Sequence, residues 1–257
     1  MGLVADGEGG MSVLQDIVAL ATDRYRVRLA RHAEDITAAQ RLRYAVFNLE
    51  LNEGLAESAA SGRDADPFDD VCDHLLVTDR TTEQVVGTYR MQTGPRAGQQ
   101  RGYYSEQEFD FAPFEPARAQ ILELGRACVA AAHRNQVVLG LLWKGIAGYA
   151  RDHGARYLVG CSSLTSQDET AGLATYELVA RTNLVESRWR TSPRPAWRCR
   201  PGPAVALPVP RLMAAYLAIG AMICGEPAID REFGTIDFLT WLDLDALPER
   251  VQNKYLR

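Results

Sequence analysis

The run ELGR sets the carboxylate of Glu123 and the guanidinium of Arg126 three positions apart inside ILELGRACV, a segment that is otherwise apolar and of strand type. Such a pair has two readings. It is a structural ion pair in a partly buried strand, or the carboxylate takes a proton from a substrate while the arginine holds a charged part of it. In a regular strand the two side chains would face opposite sides. A glycine inside a strand commonly marks a bulge, and one extra residue at Gly125 would bring both to one face. An ordinary glutamate (pKa ~4.3) is a weak base near neutral pH, and each unit by which it falls short of the group it must deprotonate costs ~1.36 kcal/mol. Burial must raise the acid, or a water must relay the proton.

The other residues able to do chemistry are scattered acids and arginines: Asp64, Asp66 and Asp69 in DADPFDD, Arg43 in RYAVF and Arg90 in VGTYR. As a bare sequence DADPFDD also reads as a polar loop with a proline turn. The chain lacks a glycine-rich phosphate loop, a Gly-x-Ser-x-Gly elbow and any Cys-x-x-Cys pair, and its four histidines show no metal-ligand spacing. No metal or bound cofactor is expected. Five widely spaced cysteines fit a reducing cytoplasm. A net charge of −5 argues against nucleic acid as a partner. The stretch from Arg181 to Arg200, which includes Arg188 and Arg190, holds six arginines against one acid, Glu186. It reads either as a solvated loop or as a docking surface for an acidic partner.

These residues need a frame of strands and helices. Residues 1–23 read as a mobile leader without a signal-peptide pattern. RYRVRLA alternates as a strand, and Glu34 to Leu49 has helical spacing. Asn52 to Asp73 reads as a loop, and His74 to Asp79 with Val85 to Thr93 as a hairpin. ILELGRACV, the helical pattern around Val138, Leu141, Leu142 and Ile146, and the strand Arg156 to Leu164 form a parallel crossover unit. A helix over Glu169 to Arg181, a proline-bounded strand near Val205, a helix from Arg211 to Ile223 and an extended run FGTIDFLTWL complete one α/β domain over residues 24–257. The apolar run Leu212 to Cys224 would span roughly 20 Å as a helix, short of the ~30 Å hydrocarbon core of a membrane.

RYAVF, DADPFDD, VGTYR and ELGR, in that order, resemble the N-acyl-homoserine-lactone synthases, a branch of the Gcn5-related N-acyltransferase fold. LGRACVAAAHR, LLWKGIAGYARDHGARYLVGCSSL and CGEPAIDREFGTIDFLTWLDL look more like the L-ornithine N-alpha-acyltransferases, often labelled hemolysin-like. The resemblance covers Arg24 to Leu242. It implies a mixed sheet flanked by helices, and transfer of a 3-hydroxyacyl chain from acyl carrier protein to the α-amine of L-ornithine, giving lyso-ornithine lipid. The carrier's 4'-phosphopantetheine arm would enter where two strands splay, and the amine would attack the thioester directly. No nucleophilic side chain is then required. The helix start RNQVVLG lacks the glycines that let backbone approach a coenzyme A pyrophosphate, which favours a carrier-protein donor. The resemblance assigns Glu123 as base or water-orienting group, with Arg126 as its partner or as a contact for the substrate carboxylate. It places Arg43, Asp64, Asp66, Asp69 and Arg90 at the amino acid. Arg134, Arg188 and Arg190 would meet the carrier or its phosphate, and Val138, Leu141 and Leu142 the acyl chain. A cytoplasmic enzyme touching the inner face of the membrane is expected. The competing readings are a coenzyme A-dependent transferase acting on another amine, and a non-catalytic relative that binds acyl carrier or membrane.

Overall fold

The alternating segments become strands. The computed structural model describes residues 21–255, so residues 1–20 of the expected leader lie outside the described residues. The strands are β1 (Tyr25–Leu29), β2 (Asp73–Asp79), β3 (Val85–Thr93), β4 (Ile121–Val129), β5 (Tyr157–Leu164), β6 (Met222–Ile223), β7 (Ala228–Asp230) and β8 (Thr235–Asp243). They form one sheet in the order β1-β2-β3-β4-β5-β8-β6, with β7 also pairing β8. Helices α1 (Ala33–Tyr44), α2 (Gly94–Gln99), α3 (Gln136–Asp152), α4 (Glu169–Ala180), α5 (Arg211–Ala218) and α6 (Glu249–Tyr255) flank it.

Among the strands of the described residues, only β4 and β5 pair in parallel, as their joining through α3 demands. The Asn135 side chain starts α3 by accepting hydrogen bonds from the Val137 and Val138 amides, both at 3.0 Å. Val138, Leu142, Ile146 and Tyr149 then bury one face in the cluster formed with Leu75, Val77 and Met91 of the sheet. Each such aliphatic side chain contributes about 1.5–3 kcal/mol. Gly145 permits the approach: a Cβ there would lie 2.8 Å from a Leu75 methyl.

Four expected segments differ. The helix after Glu34 winds as α1 only to Tyr44 and continues as a π-helical turn, Ala45–Glu50. The loop that follows contains one helical turn, Ser58–Ser61. No strand forms near Val205, which is 84% exposed; prolines 203, 208 and 210 remove the amides a ladder would use. The helix from Arg211 stops at Ala218, because Gly220 takes φ +109° and turns the chain into β6.

β4 pairs with β5 only from Ile121 to Glu123 against Tyr157 to Val159. Beyond that, β4 stays with β3 as far as Val129, and β5 stays with β8 as far as Leu164. The sheet therefore opens between them. Gly160 marks the last close approach, since a Cβ on it would lie 2.2 Å from the Leu124 carbonyl oxygen.

Candidate active site

The opening between β4 and β5 holds a cavity of about 330 Å³. One end is apolar, walled by Trp143, Leu158, Met213, Tyr216 and Leu242; the other carries Arg90, Glu123, Arg126, Asp230 and Asp237. Leu158 and Val159 line it as their position on β5 requires. Val138, Leu141 and Leu142, expected against an acyl chain, do not line it; they are core residues under α3. Among α3 side chains Trp143 lines it instead, at the edge of the buried face.

The predicted bulge exists, one residue further along. Arg90 faces Gly125 and Thr88 faces Cys128, so Tyr89 alone opposes both Arg126 and Ala127. Arg126 carries the distortion at φ +50°, a left-handed conformation that costs an L-residue roughly 1–2 kcal/mol. Its side chain supplies the restraint. The guanidinium sits over the Tyr104 and Phe233 rings, 4.8 and 4.5 Å from their centroids, and pairs with Asp66 at 3.0 Å and Asp64 at 3.3 Å.

Glu123 and Arg126 thus reach the same cavity, but they form no ion pair with each other. Glu123 is buried and accepts from the Tyr104 amide (2.8 Å), the Ser105 amide (2.8 Å) and the Ser105 hydroxyl (2.7 Å). A carboxylate has about four lone-pair sites, so one remains on Oε2 for a substrate or water. Burial raises Glu123 above its ordinary pKa against the pull of these donors, the direction a base for an amine requires.

The acidic loop is not a free anion site. Asp64, Asp66 and Asp69 alternate with three arginines in a closed ring: Arg43–Asp64 (2.9 Å), Asp64–Arg126 (3.3 Å), Arg126–Asp66 (3.0 Å), Asp66–Arg90 (2.6 Å), Arg90–Asp69 (3.1 Å) and Asp69–Arg43 (2.6 Å). Neither contact of Asp64 is aligned as a hydrogen bond. Against the cost of burial, Arg43 and Arg90 hold Asp69 well below the usual carboxylate range, and Arg90 with Arg126 also lowers Asp66. Of the five residues expected at the amino acid, only Arg90 lines the cavity. Asp64, Asp66, Asp69 and Arg43 lie one layer behind, fixing the arginines.

The basic residues expected at the donor are also engaged. Arg134 forms a bidentate pair with Glu50, Arg188 pairs with Glu186 and lies over Trp189, and Arg190 donates to the Val185 carbonyl. None of them lines the cavity.

Several cavity residues were not anticipated. Gln92, buried beside Glu123 in the ladder, has no partner for either end of its amide. Tyr104 and Ser105, which hold Glu123, come from a single helical turn, Tyr104–Gln107, between β3 and β4. Glu108, Cys161 and Asp237 bring potential ligand atoms within 4.8 Å of one another. Burial, with Glu108 alongside, pushes the Cys161 thiol well up, so it is not an activated nucleophile. Asp237 had a signal: it shares one face of β8 with the buried apolar Leu239 and Trp241.

Burial pushes Asp237 from the ordinary 3.8 up to about 6. A raised folded-state pKa gives stability that is complete below the unfolded value and lost as pH rises through the folded one. Asp237→Asn should therefore be more stable than wild type at pH 8, by up to about 3 kcal/mol at ~1.36 kcal/mol per unit. The gap should close by pH 4. Melting temperatures across that range test this; a variant less stable at pH 8 contradicts it.

A sheet that splays beside a bulged β4, with a buried carboxylate at the opening and no activated nucleophile among the described residues, defines a GNAT-fold acyltransferase. Consistent with this, the acetyltransferase (GNAT) domain family matches residues 42–144. Among solved structures, the acyl-homoserine-lactone synthase LasI superposes with TM-score 0.52 at 12% identity, over 91% of this chain and 95% of its own. FeeM, an N-acyl amino acid synthase from uncultured soil microbes, gives 0.53 at 12%, over 88% and 93%. The L-ornithine N(alpha)-acyltransferase of Rhodobacter capsulatus is 32% identical over 253 residues, 93% of this chain and 98% of that protein. That of Agrobacterium fabrum is 33% identical over 246 residues, 89% and 84%. The chain belongs to the L-ornithine N(alpha)-acyltransferase family.

Proposed function

We propose that this protein transfers a 3-hydroxyacyl chain from the phosphopantetheine thioester of acyl carrier protein to the α-amine of L-ornithine. The observation that carries the reading is the cavity between β4 and β5, which joins an apolar chamber to a buried, pKa-raised carboxylate. The thioester carbonyl sits at the bulge, where a two-for-one mismatch turns backbone amide out of the ladder. The neutral amine attacks the carbonyl carbon, and Glu123 accepts a proton from it, directly or through one water. The C–N bond forms, the C–S bond breaks, and the proton held by Glu123 passes, directly or through the same water, to the departing thiolate, which leaves as the thiol and returns Glu123 to its ionised form. Arg126 and Gln92 are the donors best placed for the substrate carboxylate.

The donor assignment is supported by the start of α3. There the Asn135 side chain already occupies the amides that a coenzyme A pyrophosphate would need, and Arg134 is tied to Glu50. A carrier protein demands less of this corner. Arg188 and Arg190 are its candidate contacts, and Arg188/Arg190→Glu should raise the KM for carrier several-fold, most at low salt, because exposed charges are screened over ~8 Å at physiological strength. An unchanged KM would place docking elsewhere. Leu51 and Leu212 are exposed and line the cavity, which suits a cytoplasmic enzyme handing an amphiphilic product to the inner membrane face. No helix of the described residues is long and apolar enough to cross a membrane.

The test is a mass-spectrometric panel of acyl-carrier and acyl-coenzyme A thioesters from acetyl to tetradecanoyl, each with a set of amino acids. Long-chain 3-hydroxyacyl-ornithine from the carrier thioester is expected, with rate rising with chain length, since each buried CH₂ contributes about 0.8 kcal/mol. Turnover with acetyl-coenzyme A alone, or carrier binding without product, would replace the proposal.

A further inference from the structure

The β5–β8 wall of the cavity buries two carboxyl groups side by side, and burial with Asp237 and Asp230 alongside holds Glu108 well above its ordinary pKa, the sign of acids without a compensating cation. Glu108 is fully buried and Asp237 is 4% exposed, yet Glu108 Oε1 and Asp237 Oδ1 have no hydrogen-bond partner. Asp237 and Cys161 line the cavity and Glu108 backs them. Asp230 adds a third buried carboxylate, its Oδ1 already taken by the Glu232 and Phe233 amides. Arg126, a cation on this side, already pairs with Asp64 and Asp66 and forms no ion pair with either acid among the described residues. Burying a carboxylate without a partner is costly, and a ligand cation removes that cost.

The pair is also well placed. The Ser105 hydroxyl donates to Glu123 at 2.7 Å, Cys161 Sγ lies 3.5 Å from that hydroxyl, and Glu108 Oε2 lies 3.9 Å from the sulfur. A short file of contacts thus runs from the site of attack to the unpaired acids. A ligand with one amine at Glu123 would need only a short alkyl spacer to present a second cation there.

We propose that Glu108 and Asp237 form the subsite that receives the side-chain ammonium of the acceptor amino acid, so that a basic acceptor with a short side chain is chosen over a neutral one of equal length. The inference rests on the amino acid N-acyltransferase reading and names the groups that read the side chain. It is tested on the full chain by calorimetric titration with L-ornithine, L-norvaline and zinc chloride, and by kcat/KM for both amino acids, in wild type, Asp237→Asn and Glu108→Gln. Wild type should bind L-ornithine at least about 30-fold more tightly than L-norvaline, as a desolvated charge pair allows. Either substitution should reduce ornithine to the level of norvaline while norvaline stays unchanged. Because Asp237→Asn is expected to gain stability, a folding defect does not confound it. Three results overturn the proposal: equal loss of both amino acids, an intact ornithine preference in both variants, or zinc binding that depends on Asp237 while ornithine binding does not. Absence of transfer to any amino acid would sink the catalytic reading, while the binding preference would still decide the subsite.

Discussion

Glu123→Gln should lower kcat by about 10²-fold or more, the scale of a lost general base, in protein that remains folded. The geometry makes the substitution demanding. Both Glu123 oxygens accept from the Tyr104 and Ser105 amides, so a glutamine must turn its own NH₂ towards one of these donors. A mismatched buried hydrogen bond costs roughly 1–3 kcal/mol, partly offset because the buried charge is also removed. Melting temperature and kcat measured on one preparation separate the two effects. A base role also fixes the sign of the pH response. The amine is released only while Glu123 is ionised, and burial has raised its pKa, so activity should fail on the acid side above the range of an exposed glutamate. A glutamine variant with normal turnover across pH would remove Glu123 from the reaction.

Arg43→Met should be the most damaging change outside the cavity. It keeps the bulk of the side chain but leaves Asp69, which Arg43 holds through bonds of 2.6 and 2.9 Å, and Asp64 short of a cation. Breaking a buried pair from one side costs about 3–5 kcal/mol, or roughly 10 °C of melting temperature at this size. The sign with pH is set by Asp69. Its folded pKa is depressed, so its contribution is present above the unfolded value near ~3.9 and is lost as pH falls through the folded one. The deficit should be greatest at neutral pH and shrink below pH 4. A deficit that does not vary with pH would instead indicate lost packing.

The period-2 and helical patterns were sufficient to place β1 to β5, α1, α3 and the parallel crossover, because those segments bury one face and hide little else. Prediction failed where backbone rather than burial decides: at the proline-rich approach to α5, and at Gly220, whose positive φ has no signature in side-chain pattern. At the site, Glu123 and Arg126 were legible as charges on an apolar strand. Their partners were not, because Asp66 lies 60 positions from Arg126, and Ser105 lies 18 from Glu123 in a segment without periodicity. Gly125 pointed to a bulge that Arg126 carries. There the rule that only glycine tolerates such a conformation yields to a guanidinium fixed by two carboxylates and two rings.

The arginine–aspartate ring also bears on how the chain finds its register. Its members come from α1, the loop before β2, β3 and β4, so no segment can neutralise its own charges before the others arrive. A one-residue slip of β3 on β4 would turn Arg90 to the opposite face and strand Asp66 and Asp69 without it. Mispaired sheets are thereby penalised several times over, and the ring closes only on the correct one. Interactions completed this late in assembly act on escape from the native state rather than on entry to it. Severing the ring should therefore speed unfolding far more than it slows refolding.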